Sequence, residues 1–129
     1  MKTHKEDLFV AYSIALLLNE KGFYEHCLGY IKEDGIVRFF DMFMLDKELM
    51  EANGKYNGVL VPTIDQAVDW LNKKYAINVY CLLQYNNWYW FMDDAFGHVD
   101  QGLADSRKDG LLKGITETLN TVTLNMLIK

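Results

Sequence analysis

Cysteine is scarce in this chain. Cys27 and Cys81 are its two, too few for a disulfide scaffold, and both read as buried free thiols. Pro62 is the single proline, and there is no low-complexity stretch. Nothing therefore reads as an interdomain linker, and a single domain over 1–129 is expected. Long apolar runs are missing too. Phe9 to Leu18 is too short to span a bilayer, and Glu6 and Asp7 precede it where a secretion signal would be basic. A cytoplasmic location and no membrane partner follow as expectations. Basic residues are in the minority, with 13 Lys and Arg against 18 Asp and Glu and a net charge of −5. That balance argues against nucleic-acid binding, which depends on neutralising phosphates. Catalytic motifs are absent, so no enzyme activity, cofactor or metal is expected.

What is present is enough apolar material for a core, at 50% hydrophobic residues. One phrase occurs twice. Leu18-Asn19-Glu20-Lys21 and Leu71-Asn72-Lys73-Lys74 each close an apolar helical pattern and precede a strand-like run. The echo predicts an α+β fold of two α-β-β units, a pseudo-repeat over about 3–41 and 62–100. A C-terminal helix over about 106–122 completes it, with helices packed on mainly antiparallel sheet.

Thr3 to Glu6 fits a capping box and predicts a helix start at Thr3. Leu8, Tyr12, Ala15 and Leu16 form one helical stripe, and Val10, Ile14, Leu17 and Leu18 a second. A surface helix needs one apolar face, so this helix is central or covered by a second chain, and a homodimer is expected. Gly22 suits a left-handed cap. Strands are expected over Tyr24–Ile31 and Ile36–Phe40, joined by a turn at Glu33-Asp34-Gly35. Asp41 to Gly58 reads as a variable connection, with Asp46 to Ala52 as a possible short helix. Thr63 to Gln66 is a second capping pattern, and Ile64, Ala67, Val68, Leu71 and Tyr75 follow helical spacing closely. Ile77–Tyr85 and Trp88–Met92 read as strands around an Asn86-Asn87 turn, with a short edge strand over Phe96–Val99. Ser106 and Asp109 are candidate caps for the last helix, whose buried stripe is Leu111, Leu112, Ile115, Leu119 and Val122. Gly110 and Gly114 on one face point to close packing.

The aromatic hairpin carries the candidate site. Tyr80, Tyr85, Trp88 and Trp90 form the densest aromatic patch. Alternation puts Trp88 and Trp90 on one face, and Tyr89 and Phe91 on the other. Core packing, a protein contact and base stacking all remain open for it. His26-Cys27 cannot converge as a catalytic pair, because neighbours on a strand point apart. Asp93, Asp94, His98 and Asp100 match no standard metal spacing and read as solvated turn acids. The second half has the helix–strands–helix order of double-stranded-RNA-binding domains. Arg107, Lys108 and Lys113 fall near the start of its last helix, but Asp105 and Asp109 interleave with them.

These pieces resemble a family of small uncharacterised proteins encoded by phages, prophages and other mobile elements of gut anaerobes. The likeness rests on Ala15 to Phe23 (A-L-L-L-N-E-K-G-F), His26-Cys27, Pro62 to Tyr75 (P-T-I-D-Q-A-V-D-W-L-N-K-K-Y), the aromatic hairpin and the final helix. Relatives usually have an acidic, Ala-rich final helix, whereas this one contains two glycines. No activity is established in the family, so no functional residue carries over. The resemblance implies a mobile-element setting inside a bacterium. The expected function is a non-enzymatic binding protein, an inhibitor or adaptor of a host or phage macromolecule. The alternatives are a small-ligand binder with an aromatic pocket and, behind it, an RNA-binding module.

Overall fold

The computed structural model describes residues 8–25, 27–39 and 59–128, with side chains through residue 123. These residues form three helices and two three-stranded antiparallel sheets, an α+β fold with a C-terminal helix. The chain divides into two compact units, Met1–Thr63 and Ile64–Lys129. The boundary falls at the second capping pattern, and the last helix belongs to the second unit.

In the first unit, helix α1 spans Tyr12–Glu20 and buries Ile14, Ala15 and Leu18. The helix begins at Tyr12, after a bridge at Phe9 and an extended Ala11. Phe9 bridges Thr63, and the Val10 N–H donates to the Pro62 carbonyl at 3.2 Å. Both side chains are buried from that extended segment, which explains why the apolar pattern overruns one helical face. Thr3 to Glu6, with His4, lie outside the described residues. Gly22 closes α1 at φ 91°, a left-handed conformation that suits glycine. The Phe23 N–H then returns to the Leu18 carbonyl at 3.0 Å.

The sheet that follows has β1 (Gly29–Ile31) at its centre, between β2 (Val37–Phe39) and β3 (Val59–Val61). Strand β1 is shorter than the Tyr24–Ile31 run suggests. Gly35 at φ 78° turns the β1–β2 hairpin, as the Asp-Gly signal predicts. Asp34 Oδ1 accepts the Ile36 N–H at 3.0 Å, and the same carboxylate holds Arg38 at 2.7 Å and 3.3 Å. That guanidinium, followed by the Ile36 amide, lowers the Asp34 carboxyl to about 2. His26, residues 40–58 and the helix expected over Asp46–Ala52 lie outside the described residues. Strand β3 has no counterpart among the sequence expectations.

In the second unit, helix α2 (Ile64–Tyr75) buries Ile64, Ala67 and Leu71 of the expected stripe together with Trp70, while Val68 and Tyr75 are half-buried. It ends on Ala76 at φ 57°. Strands β4 (Asn78–Gln84), β5 (Asn87–Asp94) and β6 (Gly97–Ala104) form a meander in that order. Tyr85 and Asn86 turn the first hairpin at φ 51° and 66°, one residue earlier than the Asn86-Asn87 turn expected. Strand β6 is longer than the Phe96–Val99 edge expected, and a bulge falls opposite Met92/Asp93. Two of its main-chain groups are met by side chains. The Gln101 N–H donates to Asp100 Oδ1 at 2.8 Å, and the Leu103 carbonyl accepts from Lys113 Nζ at 3.3 Å.

Helix α3 (Arg107–Ile128) packs on all three strands and on α2. Its start is capped reciprocally. Ser106 Oγ accepts the Asp109 N–H at 3.0 Å, and Asp109 Oδ2 accepts the Asp105 N–H at 2.9 Å. Leu111, Ile115, Leu119 and Val122 are buried and Leu112 half-buried. Gly110 and Gly114 are the close-approach positions. A Cβ at Gly110 would strike Cys81 Sγ, and one at Gly114 would sit 2.5 Å from Val79 Cγ1. Buried Thr118 donates to the Gly114 carbonyl at 2.8 Å and contacts Met92 Sδ at 3.0 Å, so its hydroxyl is satisfied.

The repeated phrase does not carry over into matched topology. The strand that follows α1 is central in its sheet, whereas the strand that follows α2 is at an edge.

Candidate functional site

Strand alternation gives the second sheet two unlike faces. The face under α3 carries Val79, Cys81, Trp90, Met92 and Gly102. The Trp90 ring lies directly on Gly102, where a Cβ would sit 2.5 Å from the indole Nε1. Trp90 and Met92 are buried.

The opposite face is turned away from α3. Its cross-strand pairs include Tyr80 with Phe91, Phe91 with Gln101, Leu82 with Tyr89, Tyr89 with Leu103, Asn78 with Asp93, and Asp93 with His98. Tyr80, Tyr89 and Phe91 are half-buried, while Leu82 and Leu103 are 43% and 62% exposed. The Tyr80 and Phe91 rings stack with centroids 5.0 Å apart and an interplanar angle of 15°. His98 meets Phe91 edge-on at 5.8 Å. The Tyr80 hydroxyl donates to Asp93 Oδ2 at 2.8 Å, and His98 Nδ1 lies 3.0 Å from Asp93 Oδ1.

This contact perturbs both partners. The Tyr80 hydroxyl, then His98, hold the Asp93 carboxyl below its ordinary range. The carboxylate in turn raises Tyr80 above the usual tyrosine value. Asp93 is therefore an ionised acceptor at neutral pH, set in an aromatic surface.

The four residues singled out from the sequence do not share one surface. Tyr80 belongs to the face turned away from α3. Tyr85 is at the hairpin tip, 95% exposed. Trp90 is under α3, and Trp88 is half-buried on the same side of the sheet as Trp90. Trp90 does border an open groove of about 380 Å³, with Leu112, Lys113, Thr116 and Glu117 as its other walls.

Leu82, Tyr89, Phe91, Asp93, His98 and Leu103 join Tyr80 in a group that the sequence reading does not assemble. Two signals mark it. Small residues at Gly102, Gly110 and Gly114 identify the face that a helix approaches. From Tyr75 to Ser106 the chain contains no Lys or Arg, but it does contain Asp93, Asp94, Asp100 and Asp105.

The other candidates are placed as follows. Cys27 is buried and Cys81 half-buried, both as free thiols. Burial raises the Cys81 thiol, which leaves it a poor nucleophile. Among the described residues, no three His, Cys, Asp or Glu side chains converge as a metal site. Arg107 stands 3.9 Å from Asp65, and Lys113 bonds Asp109 at 3.1 Å, so acids accompany the basic start of α3. Among the described residues, no helix is long and apolar enough to cross a membrane. No protein-family profile, curated protein or solved structure matches the chain.

Proposed function

We propose that this protein acts by binding rather than catalysis, and that the face of β4, β5 and β6 turned away from α3 is its contact surface for a protein partner. The observation that carries this reading is the aromatic and aliphatic group formed by Tyr80, Leu82, Tyr89, Phe91 and Leu103, on the sheet face turned away from α3. Aromatic residues dominate the energetics of protein interfaces, and contiguous exposed apolar patches on a small protein mark interaction sites. A mobile-element product inside a bacterium, inhibiting or adapting a host or phage protein, fits such a surface. The test is affinity capture with the intact chain and with a Leu82→Glu/Leu103→Glu variant whose unfolding curve is unchanged. Both positions are exposed, so the substitutions leave the core alone. The reading expects a specific partner to be recovered by the first bait and lost by the second. Identical recovery would refute it.

A small-ligand reading is favoured by the groove beside Trp90, which pairs an indole with Lys113, Thr116 and Glu117. Glu117→Ala and Thr116→Val variants that leave metabolite-induced shifts at α3 unaltered would remove it.

A further inference from the structure

We infer that the sheet face turned away from α3 receives an arginine side chain from its protein partner, laid on the Tyr80–Phe91 ring pair and paired with Asp93. The inference rests on the binding reading above and gives the partner its chemistry.

Charge is the first argument. The cationic side chains described in the second unit lie on its helices, among Asp65, Asp69, Asp109 and Glu117. Lys73, Lys74, Arg107, Lys108 and Lys113 stand on α2 and α3. The sheet and its turns, from Tyr75 to Ser106, contain no Lys or Arg. Lys113 donates to the Leu103 carbonyl at the sheet edge and is also held by Asp109. On this face the register places Asp93 beside His98 and no Lys or Arg, while Asp100 is on the other side, so Asp93 is the charge that a cationic side chain from a partner would complement.

Geometry narrows the cation to arginine. The face offers π-surface and a carboxylate together. Asp93 is two residues from Phe91 along β5 and hydrogen-bonded to Tyr80 across the sheet. Its side chain is 30% exposed. Each of its oxygens has one internal partner at Tyr80 or His98, and a carboxylate has about four lone-pair positions, so acceptor capacity remains. A planar guanidinium can lie on an aromatic ring while its N–H edge donates to a carboxylate. A lysine ammonium is compact and strongly hydrated, and can satisfy only part of that arrangement. A quaternary ammonium ligand would need rings boxed around it, whereas Tyr80 and Phe91 are stacked nearly parallel. Nucleic acid would bring phosphates to the Asp93 carboxylate.

The experiment uses the full chain, labelled with ¹⁵N, and three synthetic peptides at low salt. They are Ac-Gly-Val-Arg-Val-Gly-NH2, the same peptide with citrulline for arginine, and the same with lysine. The arginine peptide is expected to shift the amides of Tyr80, Tyr89, Phe91, Asp93 and Leu103. The citrulline peptide should bind about tenfold more weakly, as loss of a charge-assisted hydrogen bond requires, with lysine in between. Asp93→Asn should remove the arginine preference, while Asp100→Asn, on the other face of the sheet, should keep it. Tyr80→Phe keeps the ring and frees one Asp93 oxygen, so it should retain or strengthen binding; this separates recognition from mere support of the fold. Equal binding of the arginine and citrulline peptides, shifts that map elsewhere, or no binding would overturn the inference. So would self-association abolished by Arg107→Ala, which would make a second copy the source of the cation. If Leu82→Glu/Leu103→Glu loses a partner that contacts the face without arginine, the inference falls while the binding reading stands. If that variant keeps every partner, the binding reading itself fails.

Discussion

Replacing Gly114 with alanine tests how α3 is seated. The new methyl would sit 2.5 Å from Val79 Cγ1, about 1 Å inside ordinary carbon–carbon contact. Valine is stiff at χ1, and Val79 is 2% exposed, so it cannot swing away and the helix must lift. Overpacking of this kind costs about 1–3 kcal/mol. Alanine's better helix propensity offsets about 1 kcal/mol of it, which leaves a net loss of about 1 kcal/mol. Val79→Ala removes the atoms that clash. In that background, Gly114→Ala should stabilise by about 1 kcal/mol, because only the propensity gain remains. The two positions are therefore expected to couple by about 2 kcal/mol. Urea unfolding followed by the emission of Trp70, Trp88 and Trp90 measures all four corners of the cycle, with unchanged m-values as the check on comparability. A rise in midpoint on Gly114→Ala alone, or the same change in both backgrounds, would refute the close seating of α3 on β4.

Three further outcomes are expected. Gly102→Ala should displace the Trp90 ring, destabilising by about 1–3 kcal/mol and red-shifting tryptophan emission; unshifted emission would contradict the ring-on-glycine contact. Ser106→Ala should cost about 1 kcal/mol through loss of the cap, with Ser106→Asp close to neutral, and chemical denaturation separates the two. Asp93 and Tyr80 set opposite ends of a pH window. The lowered Asp93 pKa makes its contribution present above the ordinary carboxyl range and lost as pH falls through the lowered value. The raised Tyr80 pKa makes its contribution present below the usual tyrosine range and lost as pH climbs through the raised value. Tyr80→Phe should therefore move the Asp93 titration, followed by carboxyl ¹³C shifts, up toward its ordinary range, and an unmoved titration would exclude the hydrogen bond.

Helix α2 was legible because its burial follows one helical stripe bounded by a capping pattern and a charged end. The hairpin turn at Asp34-Gly35 was legible because only certain residues tolerate its dihedrals. The start of α1 was not. Phe9 and Val10 are apolar for an extended segment paired with Pro62 and Thr63, and periodicity cannot tell that from a helical stripe. Strand β6 was hidden by Gly97, Asp100 and Gly102, residues with little strand preference; Gly102 is small because Trp90 rests on it. Alternation sorted the aromatic residues of β5 into two sets but could not say which set faced a helix, since both are large and apolar. That ambiguity leaves Trp88 and Trp90 in one aromatic patch with Tyr80 when alternation alone is used. Deciding it takes tertiary information: the glycines of α3 stand over Cys81 and Val79.

Strand β6 ends its sheet without offering an easy template. An Asp100 oxygen occupies the Gln101 amide and the Lys113 ammonium occupies the Leu103 carbonyl, so a strand from another molecule would have to evict both before it could zip alongside. Unchecked sheet growth, the usual hazard of an unaccompanied margin, is thereby obstructed by two side chains, and visitors are left the flat of the sheet rather than its rim.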